Sequence, residues 1–214
     1  MIVVLYVLIA IVALAVIISL AWRFASRRYQ IPCPVWMKGL LDPSGPGRIS
    51  ARTQRTIRQL DPRPGMNVLD AGCGPGRLTI PLARIVGPEG SVTALDLQDG
   101  MLNEVQERAR SADLTNIRTL RAGIGDGNLE HDRFDRAVLI TVLGEIPDRD
   151  AALREIYAAL RPGGILLVEE TIRDPHFQTR RTVTQLAGAA GFTEKEFSGN
   201  YFSYILTLQK PSGA

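Results

Sequence analysis

Cysteine is scarce: only Cys33 and Cys73 occur in 214 residues. Two cysteines provide no disulfide framework, which agrees with a reducing compartment. Net charge is equally slight, +3 from 25 Lys and Arg against 22 Asp and Glu, and lends little support to a nucleic-acid partner. The sequence has no internal repeat and no low-complexity tract, which excludes a repeat architecture. Charge is missing altogether from Ile2 to Trp22, where Ser19 is the one clearly polar side chain. No Lys or Arg precedes that run, and the run exceeds the roughly 7–15 residues of a signal-peptide core. Only Ser19-Leu20-Ala21 hints at a cleavage site.

At about 1.5 Å per residue, a helix of this length spans the roughly 30 Å hydrocarbon core of a bilayer. The sequence therefore predicts a transmembrane anchor over residues 1–22. Arg23, Arg27 and Arg28 follow at once, so the positive-inside rule places the remainder on the cytoplasmic side of a single-pass membrane protein. Trp22 and Tyr29 suit the headgroup region. Residues 23–47 read as a basic, apolar juxtamembrane linker. Between Arg23 and Arg63 only Asp42 and Asp61 oppose the cations, as a solvated topology signal or as a surface held against anionic lipid. Val35, Trp36, Met37, Leu40 and Leu41 predict a short amphipathic turn within it. Residues 48–214 are long enough for one domain with a full core.

From Met66 onward short apolar runs alternate with helical segments. Strands are predicted over Met66–Ala71, Ser91–Leu97, Ile117–Arg121, Phe134–Thr141, Ile165–Glu169, Phe192–Ser198 and Tyr201–Gln209. The main helices fall near Arg48–Leu60, Arg77–Ile85, Gly100–Ser111, Arg149–Leu160 and Gln178–Ala190. Nearly continuous apolar strands with helical crossovers argue for a mainly parallel sheet covered on both faces. Ligands of such sheets bind beyond the carboxyl ends of the strands.

The loop there is Asp70-Ala71-Gly72-Cys73-Gly74-Pro75-Gly76. Its glycines let the backbone turn sharply and approach a ligand closely. A dinucleotide fingerprint needs G-x-G-x-x-G, whereas the third glycine here comes one position early. Asp70 would repel a pyrophosphate but favour a sulfonium and an ammonium group. Asp96 ends the second strand, where a carboxylate can accept from both ribose hydroxyls.

Residues from about Pro64 to Pro211 resemble class I S-adenosylmethionine-dependent methyltransferases, most nearly the quinone-biosynthesis C-methyltransferase group. The likeness rests on VLDAGCGPGRLTIPLA (Val68–Ala83), VTALDLQDGML (Val92–Leu102), RFDRAVLITVLGEIPD (Arg133–Asp148) and LRPGGILLVEE (Leu160–Glu170). It implies a Rossmann-like three-layer αβα sandwich whose seven-stranded sheet has an antiparallel last strand. It implies S-adenosyl-L-methionine as cofactor, with Asp70, Gly72, Cys73 and Gly74 at its methionine end and Asp96 at its ribose. Ala71 and Thr141, at the ends of the first and fourth strands, join that set. Relatives often have Gly-Asp after the third strand, the Asp contacting adenine; here Gly123-Ile124 stands there. Adenine then rests on backbone and on apolar contact with Leu97 and Ile124, or on Asp126. A His-His-Leu-Pro-type run of relatives is replaced by Leu143-Gly144-Glu145-Ile146-Pro147.

Methyl transfer is an in-line displacement that relies mostly on alignment and exclusion of water, with a base only where the nucleophile must lose a proton. Glu145 and His176 are the catalytic candidates. Each has a structural alternative, Glu145 as a loop cap and His176 as a turn residue, and Glu169 and Glu170 lie at the same edge. No metal site is expected. No Asn- or Asp-Pro-Pro-aromatic segment points to nucleobase amines, and the cysteines are too few for thiol-dependent arsenic methylation. The anchor favours a small lipophilic acceptor, quinone- or lipid-like, with product S-adenosyl-L-homocysteine. The alternatives are a soluble small-molecule acceptor or a decayed, cofactor-binding membrane scaffold. A bilayer anchor argues against a nucleic-acid substrate.

Overall fold

The computed structural model describes residues 2–29 and 49–213. The first element, α1 (Ile2–Tyr29), is a helix of 28 residues, so helix continues past Trp22 into the segment read as linker. Every described side chain from 4 to 18 is exposed. Among the described residues no helix is long and apolar enough to cross a membrane. The amphipathic turn expected at Val35–Leu41 lies outside the described residues.

Helix α2 (Ala51–Leu60) begins where Ser50 Oγ accepts from the Thr53 amide, and ends at Asp61, whose φ of 49° turns the chain. From there strands and helices alternate: β1 (Asn67–Ala71), α3 (Thr79–Val86), β2 (Ser91–Asp96), α4 (Asp99–Ser111), β3 (Ile117–Arg121), β4 (Phe134–Ile140), α5 (Arg149–Ala159), β5 (Leu160–Thr171), α6 (Arg180–Ala190), β6 (Thr193–Gly199) and β7 (Ser203–Gln209). The helix starts are chemically explicit. Asp148 accepts from the Ala151 amide at α5 and Thr179 from the Thr182 amide at α6, each satisfying an amide that the first turn leaves open. Asp99 in the first turn of α4 and Arg108 and Arg110 in its last complement the helix dipole.

The strands form one sheet in the order β3-β2-β1-β4-β5-β7-β6. Strands β1 to β5 pair in parallel, and β7 pairs antiparallel with both β5 and β6. This is the Rossmann-like sheet with an antiparallel last strand. Successive side chains of the central strands enter opposite layers. Leu69, Leu139 and Leu166 pack with Leu153 and Ile156 of α5, while Val68, Val138 and Leu167 pack with Leu60, Leu82 and Val86 from α2 and α3. Strand β5 begins five residues earlier than its sequence predicts. Phe134 pairs with Leu160 and Arg136 with Ile165, so Arg161-Pro162-Gly163-Gly164 is a bulge inside the ladder rather than the turn that ends α5.

From β1 the chain moves outward through β2 to β3, then returns to build β4 and β5 on the other side of β1. The reversal leaves a crevice outside the carboxyl ends of β1 and β4.

Candidate active site

Two loops meet at that crevice, one after β1 and one after β4. Gly72 has φ +73°, and a Cβ added to it would lie 2.4 Å from Val142 Cγ2. Only glycine fits both the conformation and the space. The amides of Gly72 and Cys73 both donate to Leu95 O, at 2.8 and 2.9 Å, which ties the turn to the neighbouring strand. Gly74, with φ +53°, has nothing within 4 Å of an added Cβ. The turn is thus tight against the protein at Gly72 and open outward at Gly74.

Asp96 is held on both sides. The Gly74 amide donates to its Oδ2 at 3.0 Å and the Gln98 amide to its Oδ1 at 2.9 Å. Burial raises its pKa, against the lowering effect of these amides. Each carboxylate oxygen keeps further acceptor capacity. Leu97 beside it leaves 59% of its surface exposed, an apolar side chain uncovered at the pocket rim.

Asp70 is 4% exposed and accepts from Thr79 Oγ1 at 2.6 Å. Burial raises its carboxyl to a pKa of about 6, opposed by the Thr79 hydrogen bond and the charge of Arg77. A cation brought to this site would favour the ionised form. Ala71 is buried between Leu95 and Leu139 and contributes backbone. Burial and the nearby Asp70 and Asp96 raise the Cys73 thiol; it packs with Ala94, Leu102 and Val105 as an inert core group.

Beyond β3, Ile124 is half-buried against the core. Asp126 Oδ2 accepts from the Gly123 amide at 3.0 Å, so this aspartate closes its own turn. Beyond β4, Thr141 has φ +54°. A β-branched residue in the left-handed region is strained, and such strain gathers at functional sites. Here the Thr141 amide donates to Glu169 O at 2.8 Å, and its hydroxyl donates to Ile140 O at 2.7 Å.

The catalytic candidates come together. Glu145 ends a short 3-10 turn, Leu143–Glu145, and its Oε1 lies 3.6 Å from Nδ1 of the buried His176. Asp174 Oδ1 lies 3.7 Å from the same nitrogen and accepts from the His176 amide at 2.7 Å. Arg149 braces the turn, donating to Leu143 O at 3.1 Å and Gly144 O at 3.2 Å. Gly144 lets the two loops touch, since an added Cβ would stand 1.9 Å from His176 O. Gly144→Ala is expected to cost about 3 kcal/mol by overpacking, read as a lowered midpoint in urea unfolding.

Residues that the sequence did not single out support this edge. Arg52 and Thr56 of α2 both bind Glu169, Thr56 Oγ1 at 2.7 Å. Arg77 donates to Thr53 at 2.8 Å. These bonds fix α2 over the carboxyl ends of β1 and β5. Glu170, 1% exposed, accepts the Gln178 amide through Oε2, while its Oε1 has no partner among the described residues. No group of side chains suited to a metal ion occurs among the described residues.

The model of the methyltransferase domain family matches residues 62–205. The chain belongs to that family. It is 34% identical over 118 residues to a demethylmenaquinone methyltransferase of Listeria welshimeri, covering 55% of this chain and 50% of that protein. It is 35% identical over 127 residues to the ubiquinone/menaquinone biosynthesis C-methyltransferase UbiE of Shewanella woodyi, covering 59% and 51%. The chain thus spans about half the length of the relatives it matches. Among solved structures, a SAM-dependent methyltransferase from Aquifex aeolicus superposes with a TM-score of 0.73 at 18% identity, covering 83% of this chain and 99% of that one. The 1,6-didemethyltoxoflavin-N1-methyltransferase of Burkholderia thailandensis, solved with S-adenosylhomocysteine, gives 0.62 at 23% identity over 75% and 79%. These two likenesses show a shared fold, and the resemblance of the sequence implies S-adenosylmethionine as the cofactor.

Its crevice fits that cofactor. The open space above Gly74, the oriented Asp96 carboxylate and the bare Leu97 side chain offer a cradle, a hydroxyl acceptor and an apolar rest.

Proposed function

We propose that this chain transfers a methyl group from S-adenosylmethionine to a small lipophilic acceptor, quinone- or lipid-like, with the catalytic domain at the cytoplasmic face of a membrane and α1 as its single-pass anchor. The observation that carries the anchor is the continuous exposure of apolar side chains along α1, Val4 to Ile18. Apolar surface of that extent is covered by lipid or protein in a stable molecule. The names of the relatives, which act in menaquinone and ubiquinone synthesis, support the acceptor class.

In this reading Asp70 and the turn from Gly72 to Gly74 hold the methionine end. Asp96 takes the ribose hydroxyls, and Leu97 and Ile124 flank the adenine. When bound, the cofactor supplies an electrophilic methyl carbon on a sulfonium. The chain aligns the acceptor and excludes water. Where the acceptor carries a proton that must leave, His176 is the group to receive it, with Glu145 and Asp174 beside Nδ1 to orient the ring and stabilise its charged form.

The test incubates detergent-purified full-length protein and labelled S-adenosylmethionine with a total lipid extract. Label is expected in the quinone or lipid fraction. Removing residues 1–28 is expected to lower that rate by about tenfold or more through lost substrate delivery, with cofactor affinity unchanged. Label found only in soluble metabolites, at a rate indifferent to the deletion, would overturn the lipophilic reading.

A further inference from the structure

A second pocket, of about 470 Å³, lies on the sheet face that carries α2. Its walls are Arg55, Arg58 and Gln59 of α2, Arg136 of β4, Lys195 of β6 and Thr207 of β7. Arg136 stands near the amino end of β4, paired with Val68 and Ile165, whereas the glycine turn and Thr141 follow the carboxyl ends. The methyltransferase site does not use it.

Four cations face this pocket against two carboxylates, Asp61 and Glu196, and Asp61 is itself bridged by Arg63 at 2.9 Å. None of the four cations makes an ion pair among the described residues. Arg55 donates to Ser198 Oγ at 2.9 Å. Arg136, half-buried in the wall, is held by main chain: its Nε donates to Leu60 O at 2.9 Å and its Nη1 to Asp135 O at 3.0 Å. Burial works against its charge; Asp61 and Asp135 nearby offset part of that cost and Arg63 adds to it, and neither carboxylate pairs with the guanidinium directly.

A second observation points the same way. Thr207 is 4% exposed, lines the pocket, and its hydroxyl has no hydrogen-bond partner among the described residues. The Gln59 side-chain NH2 on the facing helix is equally unpartnered and buried. Leaving such buried groups unsatisfied is destabilising. Apart from the Glu196 carboxylate at the same wall, the uncommitted groups are cations or donors. Their complement is an anion with several acceptor oxygens, and a surplus of two positive charges matches a phosphate ester. The volume exceeds that of a bare phosphate and leaves room for the group esterified to it.

We propose that this pocket, walled by Arg55, Arg58, Arg136, Lys195 and Thr207, is a binding site for a phosphate-bearing small molecule, independent of the methyl-transfer site. The same chemistry is presented by a phospholipid headgroup and by a soluble phosphate ester. Calorimetry on the full chain in uncharged detergent separates these sources, using glycerol 3-phosphate and dihexanoyl phosphatidic acid as probes. Binding of both supports a site for the phosphate ester itself. Binding of the lipid alone supports a headgroup site. In the R58E/K195E double variant the affinity is expected to fall at least about tenfold, and in T207V about threefold. R84E, a charge change of the same sign on exposed α3 surface, is expected to leave it unchanged. Thermal midpoints check that each variant is folded. Saturation by neither probe at about 10 mM, a concentration at which even weak sites fill, would overturn the proposal. So would equal losses in R84E and R58E/K195E, which would mark a diffuse charge effect.

Discussion

Gly72→Ala is expected to reduce affinity for S-adenosylhomocysteine by about 100-fold, measured by calorimetry. Two costs act at this one position. The φ of +73° is outside the comfortable range of an L side chain, costing about 1–2 kcal/mol. The new methyl would also meet Val142 Cγ2 at 2.4 Å and Cγ1 at 2.7 Å, which adds about 1–3 kcal/mol of overpacking. Relief requires the turn to move away from the β4 loop, and the turn carries the Gly74 amide that holds Asp96. Two companion variants separate these effects. Gly72→Ala with Val142→Ala removes the clash and keeps the backbone strain, so it is expected to recover part of the affinity. Gly74→Ala has open space around its Cβ but keeps a φ of +53°; its thermal midpoint is expected to fall by the backbone cost alone, without overpacking, while affinity falls at least about tenfold, because the methyl occupies the cradle. Affinity unchanged in both Gly72→Ala and Gly74→Ala would place the cofactor elsewhere.

The parts of this site that were legible in the sequence are the local ones. Gly72, Gly74 and Asp70 lie within five residues, and their spacing carries their conformation. Asp96 was legible because a strand end fixes its place. The Glu145–His176 contact was not, although both residues were candidates. It depends on β4 and β5 being neighbours, so that the loops after them meet through Gly144. The brace of Arg52 and Thr56 on Glu169 joins residues more than a hundred positions apart, and no local pattern announces it. Thr141 gave no sign of its positive φ, since threonine rarely adopts one. The early start of β5 was hidden by Arg161-Pro162-Gly163-Gly164, whose composition reads as a turn; the ladder tolerates it because the register shift opposite Phe134 and Arg136 absorbs the extra residues. Asp126, one of the two adenine options, accepts from the Gly123 amide through Oδ2, a local bond that the sequence did not announce.

Stability is expected to fall as pH rises from about 5 to 8, and Glu170→Gln is expected to flatten that dependence. Glu170 sits on β5 opposite Tyr204. Burial raises its carboxyl from 4.5 to about 8; Asp174 adds to the rise, while the Gln178 amide, Arg149 and Arg52 oppose it. Burial, reinforced by the Glu170 charge, likewise raises the Tyr204 hydroxyl, which donates to Gln178 O at 2.8 Å. The folded state therefore holds a proton that the unfolded chain releases above pH 4.5. The stabilisation is fully present below that pH and is lost as pH climbs toward the folded-state value, by at most about 1.4 kcal/mol per unit. Glutamine copies the shape of the protonated acid and cannot ionise. Urea midpoints of wild type and Glu170→Gln should be close at pH 5 and diverge toward pH 8, the variant becoming the more stable. His176 and Asp174 share this region and are the same in both proteins, so the difference between the two curves isolates Glu170. Parallel curves across that range would mean that the Glu170 carboxyl ionises in the fold as readily as in the unfolded chain.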